Sequence, residues 1–201
     1  MTTIVGTLYS GDGGVMAADS SYLSAENHQG SLETPKIFHK MTESGEPMLI
    51  GVAGSLRDLQ LLDLSNSVLP FKSADLTTDE VLFTTCEWIR RVLEAGGTLS
   101  ADETGLVGMD SQVLIMYRHV MALVGSDFAF VVDALPYAAI GSGRGYALGS
   151  LATTLGDNRS FLDHRDAAEA AAVAVSTACQ FDPTSCLPMH MENYYDYDDF
   201  T

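Results

Sequence analysis

Thr2-Thr3-Ile4-Val5-Gly6-Thr7-Leu8-Tyr9-Ser10-Gly11-Asp12-Gly13-Gly14-Val15-Met16-Ala17-Ala18-Asp19 follows Met1 at the head of the sequence. Thr3 to Tyr9 is β-branched and apolar enough for a strand. Ser10 to Gly14 is a turn, because Asp-Gly and Gly-Gly supply positive φ at little steric cost. Val15 to Ala18 is a second short apolar strand that closes on Asp19. The fold therefore opens on an antiparallel hairpin. Its first residue is chemically unusual. A small residue after the initiator Met usually allows that Met to be removed, which would leave Thr2 with a free α-amine beside its own hydroxyl. That combination is a nucleophile and a base in one residue.

Outward from the hairpin, Ser20 to Thr34 is polar and reads as a loop or irregular hairpin. Lys36 to Lys40 and Met48 to Ala53 are strands flanking a turn at Met41 to Pro47. Ser55 with Asp58 three residues on resembles a capping box, followed by the stripe Leu56, Leu59, Leu62 and Leu64. Thr78 to Ala95 is a helix with Val81, Leu82, Thr85, Trp88, Ile89 and Val92 on one face and Gly96-Gly97 as its stop. Gln112 to Tyr117, His119 to Val124, Phe128 to Val132 and Tyr137 to Ile140 are strands. Arg144 to Leu155 and Ala167 to Cys179 are helices, the second capped by Asp163 or Asp166. Grouped strands alternating with grouped helices indicate an α+β layered fold, and two sheets face to face between two helical layers accommodate the order.

The length, 201 residues, suits one domain, here residues 1–191, followed by an acidic aromatic tail over residues 192–201. Hydrophobic residues at 46% against 18% charged indicate a globular chain. A formal net charge of -17 opposes non-specific nucleic-acid binding, which needs cations on phosphate. No apolar run approaches the roughly 20 residues of a membrane span, and no secretory signal is visible. Cys86, Cys179 and Cys186 are odd in number and lack zinc spacing, which reads as a reduced, cytoplasmic compartment. The scattered His28, His39, His119, His164 and His190 have no metal spacing either.

Thr2, Asp19 and Lys36 all fall at strand ends. Asp19 closes a run that looks buried, so its carboxylate needs a partner. Lys36, between Pro35 and Ile37-Phe38, is placed to supply one. A free α-amine has a reference pKa near ~7.7–8.0. A nearby ammonium lowers it, so the amine can accept the Thr2 hydroxyl proton. Gly51-Val52-Ala53-Gly54-Ser55 is a candidate oxyanion segment, since Gly54 admits close approach and a helix N-terminus follows. Gly141-Ser142-Gly143-Arg144-Gly145 is a strand-to-helix turn, with no Lys-Ser/Thr to complete a P-loop. Ser142 there could hydrogen-bond a terminal amine.

Five segments in order resemble the proteasome β-type family of N-terminal nucleophile hydrolases: Thr2-Thr3-Ile4-Val5-Gly6, Met16-Ala17-Ala18-Asp19, Pro35-Lys36-Ile37-Phe38, Gly51-Val52-Ala53-Gly54 and Ala139-Ile140-Gly141-Ser142-Gly143. The nearest flavour is the bacterial HslV type. The resemblance implies a four-layer αββα sandwich and a threonine endopeptidase acting on polypeptides after Met1 removal. Thr2 would be the nucleophile, Asp19 and Lys36 its charge partners, Gly54 an oxyanion donor and Ser142 a contact of the Thr2 amine. The resemblance also implies homo-oligomeric stacked rings fed by an AAA+ ATPase unfoldase, and a monovalent cation such as Na+ on backbone carbonyls around Ser176, Cys179 and Asp182. Proteasomes proper carry an acidic residue and then a Ser after the final helix, a pair this reading places at Cys179 and Asp182. Substrate pocket walls would include Ser21, Tyr22 and the stretch after Gly51. Two alternatives stay open: an N-terminal nucleophile amidase for small molecules, and a non-catalytic assembly protein that retains Met1.

Overall fold

The computed structural model describes residues 2–10, 13–23, 29–31, 35–101, 103, 105–132, 134–156 and 163–194. Their elements in order are β1 (Thr3–Tyr9), β2 (Gly13–Asp19), β3 (Ser21–Leu23), β4 (Gln29–Ser31), β5 (Ile37–Thr42), β6 (Pro47–Ala53), α1 (Leu56–Leu64), β7 (Val68–Leu69), α2 (Thr78–Ala95), β8 (Ser100–Ala101), β9 (Val107–Gly108), β10 (Gln112–Tyr117), β11 (Val120–Val124), β12 (Phe130–Val132), β13 (Tyr137–Gly141), α3 (Arg144–Leu155), α4 (His164–Phe181) and β14 (Met189–Tyr194).

The opening hairpin forms from the two apolar runs on either side of the glycine-rich turn. Ile4 pairs with Ala18 and Thr7 with Val15, antiparallel. It becomes the centre of a four-stranded sheet, ordered β13-β1-β2-β14. A six-stranded sheet, ordered β12-β11-β10-β6-β5-β7, lies against it. Strands β2 and β6 are buried at every position, the pattern of strands covered on both faces.

Three apolar cores separate four layers. Between the sheets, Ile4, Met16, Leu49, Leu114, Met116 and Ile140 interdigitate. Val52, Leu62, Leu82, Trp88, Ile89 and Ile115 join the six-stranded sheet to α1 and α2. Val5, Val15 and Ala17 meet Ala170, Ala171 and Ala174 of α4 across the third core. Small alanines at helical spacing let α4 approach closely enough for Thr7 Oγ1 to donate to the Ala167 carbonyl at 3.1 Å. Each fully buried large apolar side chain contributes about 1.5–3 kcal/mol relative to exposure. The fold is therefore the expected α+β, αββα arrangement.

Several local expectations are corrected. The leucine stripe of α1 is only half buried: Leu59 and Leu62 face the core, while Leu64 is 82% exposed. Ser55 does cap α1 by accepting the Asp58 N–H, but the Asp58 carboxylate turns away to Ser111, so no reciprocal box forms. The reciprocal box belongs instead to α2, between Thr77 and Glu80. The last turn of α1 has no basic residue of its own. Buried Lys40 of β5 supplies one, donating to the Asp63 and Ser65 carbonyls at 3.0 and 3.1 Å. Phe128 adopts φ 65 in a turn, so β12 begins only at Phe130.

The first three residues of the segment expected as a tail are strand. Glu192, Asn193 and Tyr194 belong to β14, paired with Met16, Val15 and Gly14. Tyr194 is buried between the sheets, and its hydroxyl accepts the Arg118 N–H at 2.7 Å. Residues 195–201 and Met1 lie outside the described residues, as do Gly11 and Asp12 of the first turn. Ser20 to Thr34 contains the short β3–β4 hairpin, Tyr22 opposite Gly30, with 24–28 and 32–34 outside the described residues. Among the described residues no helix is long and apolar enough to cross a membrane.

Candidate active site

The hairpin register brings Asp19, at the end of β2, level with the start of β1. Asp19 is 1% exposed, and five donors converge on it. Oδ1 accepts the Thr3 N–H at 2.8 Å and the Lys36 ammonium at 3.1 Å. Oδ2 accepts the Ser21 N–H at 3.1 Å, the Ser21 hydroxyl, and the Cys186 N–H at 3.3 Å. Strand-end placement explains this convergence, since β1, β2 and β5 all finish or begin at the same edge of the sandwich.

Lys36 is 3% exposed, and burial holds its pKa below the ordinary 10.5 despite the opposing pull of Asp19. Burial also pushes the nearby Cys179 thiol up to about 11, with the Asp19 carboxylate adding to it. Cys179 is therefore a thiol in this setting and not a competing nucleophile.

Thr2 is nearly buried at 5% exposure, and its carbonyl accepts the Ser142 N–H at 2.9 Å. Gly141 makes this approach possible. It has φ +94, and a Cβ there would lie 1.8 Å from the Thr2 carbonyl oxygen and 3.4 Å from the Ala53 Cβ. Thr2, Ala53 and Gly141 thus meet at one point. Gly141→Ala is expected to displace the N-terminal strand and lower the thermal midpoint by several degrees, measurable by circular dichroism; an unchanged midpoint would contradict the packing.

The Ser142 hydroxyl lies 2.6 Å from Asp182 Oδ2, 2.9 Å from Thr184 Oγ1 and 3.4 Å from the Thr2 carbonyl. It has a single proton, and the shortest contact to an anion takes it. Asp182 also accepts from Thr184 and Ser185. Burial by itself would raise this carboxyl, but the hydrogen bonds from Ser142, Thr184 and Ser185 win and hold it below the ordinary carboxylate value. Because Ser185 spends its proton on Asp182, it must accept from Thr3 Oγ1 across their 2.7 Å contact.

Helix α4 runs on to Phe181, so Cys179 lies inside it, and the turn that follows presents Asp182 and Ser185. This polar turn was the part missed from sequence, although the run Asp182-Pro183-Thr184-Ser185 carries turn chemistry that could have marked it.

Of the residues expected around a cation, Ser176 and Cys179 lie within α4 and Asp182 caps its C-terminus. Ser176 lies inside α4, where its carbonyl belongs to the helical ladder, and the Asp182 carbonyl accepts the Ser185 N–H at 3.1 Å. Among the described residues no cluster of His, Cys, Asp and Glu is arranged to hold a metal. No step below is routed through a cation.

Gly54 follows β6 directly and has φ +138. A Cβ there would lie 2.8 Å from the Ser111 Cα and 2.9 Å from the Asp110 carbonyl oxygen. Glycine is required by both conformation and space. The expected residues Thr2, Asp19, Lys36 and Ser142 are thus brought together, with Gly54 one residue beyond Ala53 at the same edge.

The chain superposes on Thiobacillus denitrificans BPH with a TM-score of 0.75 at 21% identity, over 98% of this chain and all (100%) of that one. The fold is proteasome-like. BPH has also been solved in complex with Epoxomicin. The helical assembly of the Anbu complex from Pseudomonas aeruginosa matches with a TM-score of 0.72 at 17% identity, over 98% of this chain and 82% of that one. Eukaryotic HslV from Trypanosoma brucei matches with a TM-score of 0.60 at 17% identity, over 96% of this chain and 99% of that one. No family model and no curated protein matches the sequence.

Proposed function

We propose that this chain is a threonine-type endopeptidase of the N-terminal nucleophile class, active once Met1 has been removed. The observation that carries the proposal is the buried Lys36–Asp19 pair, whose Oδ1 also holds the backbone immediately after Thr2. The Thr2 amine takes the proton from the Thr2 hydroxyl, and Oγ1 attacks the peptide carbonyl carbon. The ammonium of Lys36, kept in place by Asp19, favours the neutral amine. Ser142, whose hydroxyl hydrogen bonds to the Asp182 carboxylate, offers a lone pair to the amine N–H and orients it. The developing oxyanion accepts the Gly54 N–H. The amine returns its proton to the leaving peptide amine as the C–N bond breaks, and water then hydrolyses the threonyl ester.

Fold neighbours that include a helical Anbu assembly and HslV support an oligomeric form, as stacked rings or a helical stack. An ATP-driven unfoldase partner and a cytoplasmic setting complete the proposal. The test is a peptide α′,β′-epoxyketone such as epoxomicin, whose ketone and epoxide require a hydroxyl and an amine on one residue. Intact mass should show loss of Met1 and one added inhibitor per chain on Thr2. A chain fully processed at Met1 that takes no inhibitor and cleaves no peptide would refute the assignment.

A further inference from the structure

Asp58 lies outside the constellation just described, yet it is 1% exposed in the first turn of α1. Its Oδ2 accepts the Ser111 hydroxyl at 2.7 Å. Ser111 Oγ in turn accepts the Ser55 N–H at 3.0 Å, and Ser55 Oγ accepts the Asp58 N–H at 3.2 Å. The three residues form a closed ring of hydrogen bonds with a fixed direction. A carboxylate can only accept, so the single Ser111 proton points to Asp58 and its lone pair faces Ser55.

Among the described residues, Asp58 Oδ1 is a buried oxygen with no hydrogen-bond partner. Burying such an atom is costly, and an apolar side chain would avoid the cost. The retained carboxylate needs a reason, and the ring supplies one. It also sits directly against Gly54, whose missing Cβ would meet Ser111.

We infer that Asp58 is a positioning residue that acts through Ser111 to hold the Gly54–Ser55 backbone in its oxyanion-binding pose. This rests on the threonine-peptidase reading above. Because the Ser55 N–H is committed to Ser111, the donor role falls to the Gly54 N–H. At φ +138 that peptide has no side-chain packing of its own to fix it. The neighbouring Gln112 makes the same kind of bolt on the other side, accepting the Gly141 N–H at 2.9 Å. The start of β10 therefore ties down both backbone segments that flank the Thr2 end of β1.

The processed protein would be compared with Ser111→Ala, Asp58→Ala, Asp58→Asn and the Ser111→Ala/Asp58→Ala double variant. Two readouts separate positioning from general damage. In amide hydrogen exchange, the Ser55 amide should exchange at least about tenfold faster in Ser111→Ala and Asp58→Ala. In peptide hydrolysis, kcat should fall about tenfold or more, with KM within about twofold. Asp58→Asn keeps an oxygen acceptor for Ser111 and should recover most of kcat. The double variant should be no worse than Ser111→Ala alone.

Unchanged Ser55 exchange in folded Ser111→Ala overturns the inference, and so does faster exchange with kcat unaltered. Additive losses in the double variant overturn it as well. If Asp58→Ala does not fold, Ser111→Ala and Asp58→Asn still decide the matter. A processed wild type that neither cleaves peptide nor takes an epoxyketone refutes the function itself, and this assignment with it, before any variant is compared.

Discussion

Thr2→Ala should eliminate peptide hydrolysis, lowering kcat by a factor on the order of 10⁴ or more, because it removes the attacking oxygen and leaves the amine nothing to activate. The same protein should fold and assemble as before. Thr2 hands its carbonyl to Ser142, and Thr3 hands its N–H to Asp19, both through backbone that the substitution keeps. Thr2→Ser retains the hydroxyl and should retain measurable turnover. The measurement is fluorogenic peptide cleavage alongside thermal unfolding and size-exclusion chromatography. Hydrolysis by Thr2→Ala at the wild-type rate would rule out this nucleophile outright.

The second large effect is on stability. Asp19→Ala leaves the Lys36 ammonium, whose side chain is 3% exposed, without its partner. Breaking a buried pair from one side costs about 3–5 kcal/mol. Urea unfolding should show that loss near neutral pH, and Asp19→Ala/Lys36→Met should recover much of it by removing the stranded charge. The pH dependence follows from the direction of the Lys36 shift. Burial already holds its folded pKa below the unfolded value, and removing the carboxylate lowers it further. Between the folded and unfolded values the unfolded chain binds more protons, so stability rises with pH through that window. The variant begins this gain at a lower pH than the wild type, so the Asp19→Ala deficit should narrow between their two folded Lys36 values and then stay level up to 10.5, the ordinary Lys36 value. A deficit that widens with pH would contradict the buried-ammonium account.

Much of this architecture is legible in the amino acids. Residues 3–19 read as two apolar, β-prone runs around a glycine-rich turn, and the register of that hairpin carries Asp19 back to Thr3. Lys36 could be paired with Asp19 because an unmatched carboxylate at the end of an apolar strand has few affordable partners. What escaped sequence reading was made by tertiary contact. Asp58 looked like half of a capping box, since spacing cannot say whether its carboxylate serves Ser55 or reaches Ser111, 53 positions away. Strand β14 is hard to see in Met189-His190-Met191-Glu192-Asn193-Tyr194, because an edge strand that is only half buried needs no strong apolar alternation. The turn at Asp182 to Ser185 gains its place through contacts with Ser142 and Thr3, 40 and 182 positions away, which local spacing does not reveal.

The contact between Thr3 and Ser185 spans 182 positions of chain. For a polypeptide leaving the ribosome, the first strand emerges long before the turn that completes its surroundings. Asp19 waits for the Cys186 amide, and Ser142 waits for Asp182. The surroundings of Asp19 and Ser142 are thus completed only after translation has passed those late residues.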